Sequence, residues 1–155
     1  MQNFGKARAV SKIETLLRLA NDADMMALRQ NLVMDPNYQH WLDDFDVETQ
    51  KLWVFGDPAI GFILLQIVLD EAEIIMLWVT PHLRGKGLAG AALKQLLEIL
   101  RADNIKTVFL EVAKDNIAAI KIYEKASFLT LSIRKQYYKR NNDDYCDAIV
   151  MRAAI

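Results

Sequence analysis

The segment that most constrains the fold is Arg84-Gly85-Lys86-Gly87-Leu88-Ala89-Gly90, called the glycine loop below, which lies between a strand-like run and a helix-like run. Its three glycines permit backbone conformations that other residues avoid, and they let a ligand approach the main chain closely. The following helix offers unpaired N–H groups and the positive end of its dipole. The loop, with its two cations, therefore predicts a phosphate or pyrophosphate site. The alternative is an ordinary glycine-rich turn with two exposed cations.

The hydrophobic pattern on either side of the glycine loop alternates between strand and helix signals. Runs rich in β-branched and aromatic residues predict strands, and apolar residues at helical spacing predict helices. Strands are predicted over about residues 15–20, 51–55, 60–69, 73–80, 106–112, 130–138 and 145–152, and helices over about 25–33, 36–45, 86–101 and 116–126. The order β-α-α-β-β-β-α-β-α-β-β predicts an α/β protein with a mixed sheet, in which the two later helices cross between strands.

Length and composition narrow the class of protein. A chain of 155 residues, 53% hydrophobic and 25% charged, fits one soluble globular domain over residues 1–155. The net charge of −1 argues against a general electrostatic attraction to nucleic acid or to an anionic membrane. Because Cys146 is the only cysteine, no internal disulfide is possible. The two histidines lie far apart, so no metal site is expected.

Neither a signal segment nor a membrane span is expected. Charged residues interrupt the first twenty positions, and the longest mostly apolar run, Ala59–Leu69, is about half of what a membrane span needs. A cytoplasmic location is therefore expected. The charges are unevenly spread, since residues 1–100 hold nine basic and thirteen acidic groups, whereas residues 101–140 hold nine basic and four acidic groups. Ordinary solvated surfaces would explain this division, and the alternative is a basic cofactor side and an acidic substrate side.

The glycine loop also satisfies the pattern G-x-G-x-x-G of dinucleotide-binding Rossmann units, and Glu111 follows Gly90 by 21 positions. However, Thr80–Arg84 separates the strand from the glycines, whereas a Rossmann turn follows its strand directly. Only one more helix–strand unit follows, which leaves no room for a second mononucleotide-binding half. A Walker A loop fails because Leu88 stands where Ser or Thr is required. The Rossmann interpretation is an alternative that predicts NAD binding.

The same residues also read R-x-x-G-x-A, as Arg84-x-x-Gly87-x-Ala89, which resembles the acetyl-coenzyme A motif of the GNAT N-acetyltransferase superfamily. The likeness extends to Gln66–Ala72, Leu110-Glu111-Val112, Asn116-x-x-Ala119-x-x-x-Tyr123-Glu124, Phe128, Tyr137-Tyr138 and Asp147–Met151. Over about residues 55–152 these motifs look like those of the bacterial ribosomal-protein alanine N-acetyltransferases. The resemblance implies the GNAT fold, an acetyl-CoA-binding core at about 73–127 and substrate-side helices at about 22–45.

Glu111 is the candidate general base. It shares one face of the predicted strand with Thr107 and Phe109, inside an apolar run where an acid needs partners. From position alone, a carboxylate held by a structural hydrogen bond or salt bridge is the alternative. The resemblance implies that Glu111 takes a proton from the acceptor amine. A modest base suffices for an α-amine, whose pKa is about 7.7–8.0 against about 10.4 for lysine.

Tyr123 is the candidate general acid. Asn116, Ala119 and Tyr123 are spaced i, i+3, i+7 and should share a helix face, which fits a core tyrosine as well as a functional one. The resemblance implies that Tyr123 protonates the departing sulfur and that Asn116 binds cofactor amides. It also implies that the backbone of Leu77, Trp78 and Val79 pairs with the pantetheine arm of the cofactor. The implied ligands of its phosphates are Arg84, Gly85, Lys86, Gly87, Leu88, Ala89 and Gly90.

Two positions depart from the family pattern. Ser127 stands where the family usually has glycine after the tyrosine-bearing helix, at a position that favours positive φ. Asn37–Trp41 occupies the region in which the family has a Phe-Pro-Trp-type segment on the substrate side.

The acceptor implied by the resemblance is the N-terminal alanine of a small-subunit ribosomal protein. Its expected basic terminus would suit either Asp43, Asp44 and Asp46 or the Asp70-Glu71-Glu73 hairpin. Two alternatives stay open, a GNAT enzyme that acetylates a small molecule or a lysine side chain, and a non-catalytic module that binds acyl-CoA. A monomer without a metal is expected.

Overall fold

The structure, a computed structural model, describes residues 16–33, 35, 38, 40–140 and 144–155. Its strands are β1 (Arg18–Leu19), β2 (Gln50–Phe55), β3 (Gly61–Val68), β4 (Glu71–Val79), β5 (Thr107–Ala113), β6 (Leu129–Lys139) and β7 (Tyr145–Ala154). Its helices are α1 (Asp22–Leu32), α2 (His40–Asp43), α3 (Leu88–Ala102) and α4 (Ile117–Lys125), and Pro81–Leu83 forms a 3₁₀ turn. The predicted order of strands and helices is confirmed. The first strand and the second helix are shorter than predicted, and the predicted starts of both, residues 15 and 36, lie outside the described residues.

The described strands form one seven-stranded sheet in the order β1-β2-β3-β4-β5-β7-β6. Every strand pair in it is antiparallel except β4 with β5. Two parallel neighbours need a long crossover connection, and α3 supplies it here. A Rossmann sheet is mostly parallel, so the Rossmann interpretation of the glycine loop is wrong.

Alternate residues of β3 enter two separate cores on opposite faces of the sheet. Phe62 and Leu64 pack with α1 and α2 on one face, whereas Ile63 and Leu65 pack with α3 and α4 on the other. α3 buries an extensive apolar stripe formed by Leu88, Ala92, Leu93, Leu96, Leu97 and Leu100. The sheet therefore separates an α1–α2 face from an α3–α4 face. Within the described chain, no helix combines the length and apolar character that crossing a membrane requires.

β4 and β5 pair over only part of their length. Their ladder joins Glu71–Ile74 to Thr107–Leu110, although both strands continue beyond it. The register of β4 against β3 shifts between Ile74 and Met76, which makes Ile75 a bulge residue. Because a bulge bends its strand and increases the twist, it directs the end of β4 away from β5 where the ladder stops. The result is an opening bounded by residues 75–79 and 111–113, called the strand cleft below.

A Schellman motif fixes the end of α4. The Phe128 N–H donates to the Tyr123 carbonyl and the Ser127 N–H donates to the Glu124 carbonyl, both at 3.0 Å. The rings of Phe128 and Tyr123 lie 5.8 Å apart, the apolar contact that accompanies this motif. Ser127 has a φ of 68°, so the prediction of positive φ at this position is confirmed. The motif thus holds Tyr123 through both its carbonyl and its ring.

Ser127→Gly is expected to stabilise the protein, because a non-glycine residue in the left-handed region costs about 1–2 kcal/mol. The greater freedom of glycine in the unfolded chain offsets part of this gain. We expect a rise in Tm of about 2–4 °C by calorimetry, which corresponds to about 1 kcal/mol in a chain of this size. Ser132→Gly is the matched control in β6, where the same exchange should lower Tm because glycine weakens a strand. Similar shifts in both variants would contradict the role assigned to Ser127.

Candidate active site

The glycine loop leads into α3 and leaves its main chain open. Gly85 and Gly87 have φ values of 76° and 81°, which favour glycine. Gly87 is the N-cap of α3, and its helix receives no side-chain cap. A Cβ placed at Gly85, Gly87 or Gly90 would meet no described atom within 4 Å beyond its own chain neighbours. The first N–H groups of α3 therefore border open space that an anion can fill.

The guanidinium of Arg84 is engaged by the end of β4. Its Nε donates to the Val79 carbonyl at 2.8 Å, and its Nη2 donates to Oδ2 of Asp35 at 2.6 Å. The same carboxylate oxygen accepts a hydrogen bond from Nε1 of Trp78 at 3.2 Å. Arg84 thus ties the segment after α1 to β4, and its assignment as a phosphate ligand stays a prediction. Lys86, the other cation of the loop, is exposed.

The last residues of β4 combine packed side chains with an open backbone edge. Trp78 is 2% exposed and stacks on Phe62, with 5.8 Å between the ring centroids. Leu77 and Val79 pack into the core on the other face of the sheet. Because these side chains are packed in the cores, only the main chain of this stretch can contact a ligand in the strand cleft.

Glu111 lies just beyond the β4–β5 ladder. β5 alternates as predicted, with Val108, Leu110 and Val112 buried and Glu111 on the opposite face. The Glu111 side chain is 20% exposed, and its Oε1 accepts a hydrogen bond from Nη1 of Arg134 on β6 at 2.5 Å. This ion pair is the structural contact that the alternative interpretation of Glu111 expected. A proton acceptor at this position therefore shares one of its two carboxylate oxygens with a cation.

Two tyrosines of β6 also lie beside Glu111. A hydrogen-bonding interaction with the Glu111 carboxylate, followed by the charge of that group, raises the pKa of Tyr137. The Tyr138 hydroxyl donates to the Glu111 carbonyl over a long 3.4 Å. Burial, followed by the charges of Glu111 and Tyr137, raises the pKa of Tyr138 to about 12. Both hydroxyls therefore carry their protons at neutral pH and can act as donors beside Glu111.

Tyr123 is buried on α4. Burial, with a smaller contribution from Tyr138, raises the pKa of Tyr123 to about 12. Because Tyr138 also contacts Glu111, it connects the surroundings of the candidate acid with those of the candidate base. Asn116 precedes α4 as its N-cap, and its Oδ1 accepts the Ala119 N–H at 3.2 Å. Asn116 was predicted to be the first residue of this helix, whereas it lies one residue before it, at the capping position that asparagine favours. Its role toward the cofactor amides stays a prediction.

Two cavities of opposite charge lie near these residues. One of about 400 Å³ opens beside Glu111 on the face away from α3, and its lining includes Val68, Glu71, Glu73, Phe109, Glu111 and Val150. We call it the acidic cavity. The other, of about 540 Å³, runs between α3 and α4, and its lining includes Gly87, Gly90, Lys94, Glu98, Arg101 and Lys125. We call it the basic groove. The strand cleft and the glycine loop lie between an acidic side and a basic side.

Sequence reasoning gave no site role to Asp35, Arg134, Tyr137 or Tyr138. The two tyrosines belong to the ending that carried the family resemblance, but no pattern indicated their contact with Glu111. The basic residues of β6 indicated a positively charged strand, but the sequence did not indicate which acidic residue they contact. Asp35 stands before a proline in a segment with no periodic pattern, so nothing in the sequence links it to Arg84.

Residues 13–128 match the Acetyltransferase (GNAT) family. This stretch includes the glycine loop, Glu111 on β5 and Tyr123 on α4, so it covers every residue to which the sequence assigned a site role. The chain belongs to the acetyltransferase (GNAT) family, and the resemblance noted in its sequence is confirmed.

Within the family, the chain is similar to ribosomal protein bS18-alanine N-acetyltransferases. Identity is 38% with the protein of Escherichia coli and 36% with that of Haemophilus ducreyi, each over 95 residues and 61% of this chain. These alignments span 64% and 66% of the two relatives, so slightly less than two thirds of their length is matched.

Solved structures show the same architecture. The crystal structure of the ribosomal-protein alanine N-acetyltransferase from Escherichia coli superposes with a TM-score of 0.75 and 26% identity, over 91% of this chain and 94% of that one. A Bacillus subtilis acetyltransferase in complex with CoA superposes with a TM-score of 0.74 over 92% of this chain and 99% of that one. At 18% identity, the latter likeness shows the fold alone.

Asp35 and Arg84 are expected to be energetically coupled, because each also holds the end of β4. We expect Asp35→Ala and Arg84→Ala each to lower the free energy of unfolding by about 1 kcal/mol. The double variant should lose less than the sum, since the shared contact is lost only once. Urea unfolding gives these free energies.

The control for this cycle is the exposed pair Arg29–Asp43, whose atoms are 3.2 Å apart with both side chains about half exposed. Its coupling should be close to zero. Strictly additive losses for Asp35 and Arg84 would contradict a link between the segment after α1 and β4.

Proposed function

We propose that this protein transfers the acetyl group of acetyl-CoA to the α-amine of a protein N-terminus, and that the acceptor is the N-terminal alanine of a small-subunit ribosomal protein. The observation that carries the proposal is the strand cleft. Glu111 lies where the cleft begins, and the N-terminus of α3, which has no side-chain cap, follows β4 in the chain. The names of relatives at 36–38% identity support the choice of acceptor. A ribosomal acceptor implies that the protein acts in the cytoplasm.

The residues present fit acetyl-CoA at three places. The N–H groups of Leu88–Gly90 would bind the pyrophosphate at the α3 N-terminus, where anions are favoured. The backbone edge of Ile75–Val79 would pair with the amides of the pantetheine arm, as an added strand does. Lys94, Arg101 and Lys125 of the basic groove would face the remaining phosphate. The positive φ of Gly85 and Gly87 and the open space beside them are consistent with close approach of the ligand.

Acetyl-CoA supplies an acetyl thioester, and the side chains of the protein manage the protons of its transfer. Glu111, once free of Arg134, accepts a proton from the acceptor amine as the nitrogen bonds to the acetyl carbon. The carbon–sulfur bond breaks, and its electron pair leaves on sulfur. Tyr123 donates its hydroxyl proton to that sulfur, so that a thiol and an amide are released. The proton held by Glu111 then returns to Tyr123, which restores both groups.

Burial suits Tyr123 to the role of proton donor. With a pKa of about 12, it retains its proton throughout the pH range in which an α-amine can be neutral. The same desolvation disfavours a thiolate in this site and raises its affinity for a proton. Tyr123 therefore stabilises the departing sulfur first by a hydrogen bond and then by proton transfer.

The acidic cavity is the proposed acceptor site. Glu71, Glu73 and Glu111 all line it, so a basic N-terminal segment would find complementary charge next to the candidate base. The alternative acidic segment is less suited, because Asp46 is occupied with its own turn through Thr49 and the Glu48 N–H. The geometry therefore favours the β3–β4 hairpin over residues 43–46 as the substrate-binding acids.

The proposal predicts that the protein acetylates a basic peptide that begins with alanine, in the presence of acetyl-CoA. The same peptide with a blocked α-amine and free lysines should remain unmodified, because the pKa of a lysine side chain is more than two units above that of an α-amine. Mass spectrometry locates the acetyl group, and thiol release gives the rate. Turnover of the blocked peptide alone would overturn the proposal and favour a lysine or small-molecule acceptor.

Two variants test the residue roles in the same assay. Glu111→Gln and Tyr123→Phe should each lower kcat at least about tenfold, since each removes a proton carrier and keeps the shape. CoA should still raise the Tm of both variants, because neither side chain is assigned to hold it. The exposed Tyr145 provides the control Tyr145→Phe, which should keep the wild-type rate. Unchanged rates in both site variants would contradict the roles proposed for Glu111 and Tyr123.

A further inference from the structure

An irregular stretch of β6 brings two side chains to Glu111. Between the pairs Arg134–Ala148 and Tyr138–Cys146, β6 advances four residues while β7 advances two. In a regular strand Arg134 and Tyr137 would point to opposite faces, because they are an odd number of residues apart. The extra residues of this bulge place both beside the Glu111 carboxylate.

The bulge is backed by specific contacts. Gln136 has a φ of 51°, a conformation that is costly for a residue with a side chain. Its N–H donates to Oδ1 of Asp147 on β7 at 3.1 Å, which compensates for a lost ladder bond. Strained residues of this kind persist where the surrounding structure fixes them, frequently at functional sites. The bulge that contains Gln136 lies between Arg134 and Tyr138, and both of these residues hydrogen-bond to Glu111.

Arg134 occupies the position that an acceptor needs. Its guanidinium lies 2.5 Å from Oε1 of Glu111, within the hydrogen-bond reach that a general base requires toward the proton it removes. The side chain is 52% exposed, so it can leave without disrupting a core. Its Cζ also lies 4.2 Å from the ring centroid of Tyr137, a second contact for the cation.

The charged and titratable groups that face Glu111 come from three strands. They are Glu71 and Glu73 on β4, Arg134, Tyr137 and Tyr138 on β6, and Arg152 on β7, which pairs with Phe109 on the same face. Arg134 is the cation that the structure places in direct contact with the Glu111 carboxylate. An incoming ammonium must displace it to reach that oxygen.

We propose that Arg134 is a specificity-determining residue that fills the acceptor position beside Glu111 and gives it up only to an acceptor carrying its own positive charge. This inference rests on the proposed function. Replacement of one cation by another keeps Glu111 paired throughout, while Glu71 and Glu73 attract the incoming charge. An uncharged acceptor offers no such replacement and leaves the ion pair in place.

Arg134→Gln tests the inference in the peptide assay. Removal of the competing cation should lower KM for the alanine-starting peptide about threefold to tenfold and leave kcat within about twofold. Arg134→Lys should retain the competition. Lys135→Gln, which removes the next charge along β6, is the control and should change neither quantity.

A higher or an unchanged KM in Arg134→Gln would overturn the inference, since Arg134 would then bind the acceptor or serve only the fold. If neither the wild type nor Arg134→Gln acetylates any amine, the proposed function fails, and peptide binding then tests the role of Arg134. Calorimetry then compares the affinity of the same basic peptide for wild type and Arg134→Gln. Tighter binding by the variant supports displacement of Arg134, and equal or weaker binding refutes it.

Discussion

The candidate site depends on the point at which the parallel ladder between β4 and β5 stops. Four residue pairs join the strands, and the bulge at Ile75 then directs β4 away. Backbone N–H and C=O groups must find hydrogen-bond partners. The groups that β4 no longer shares with β5 are therefore left to water or to a ligand with amides of its own. Glu111 is the first residue of β5 beyond the ladder, so the same divergence exposes the candidate base.

Separate elements carry the reacting groups, and each is held by a contact of its own. The Schellman motif at the end of α4 fixes Tyr123, and Asp35 with Arg84 secures the end of β4. The bulge of β6 brings Arg134 to Glu111. Ser127 and Gln136 adopt left-handed conformations at the two contacts that concern the candidate acid and base. The other two described non-glycine residues with positive φ, Leu69 and Asn104, lie in the turn between β3 and β4 and in the connection after α3.

The order of elements could be predicted because hydrophobic periodicity is a local property of the sequence. The glycine loop and the positive φ of Ser127 could be predicted because both follow from local backbone conformation. The bulges at Ile75 and in β6 could not be predicted, because a bulge is defined only by the register of a strand against its partner. The Arg134–Glu111 ion pair depends on that register and therefore could not be predicted from the sequence. The start of α4 was predicted one residue too early, at Asn116, although the preference of asparagine for N-caps was available. The resemblance to the family, rather than spacing, supplied the roles of Glu111 and Tyr123.

Amide hydrogen exchange along β4 tests most directly whether the strand cleft holds the cofactor. Saturating CoA should slow the exchange of every second amide from Ile75 to Val79, because alternate N–H groups face the cleft. The amides of β3, which lies between two strands, should exchange as before, and NAD should protect none of them. Protection of the Ile75–Val79 edge is the expected result. If CoA raises Tm and leaves the exchange of these amides unchanged, the cofactor does not bind along β4.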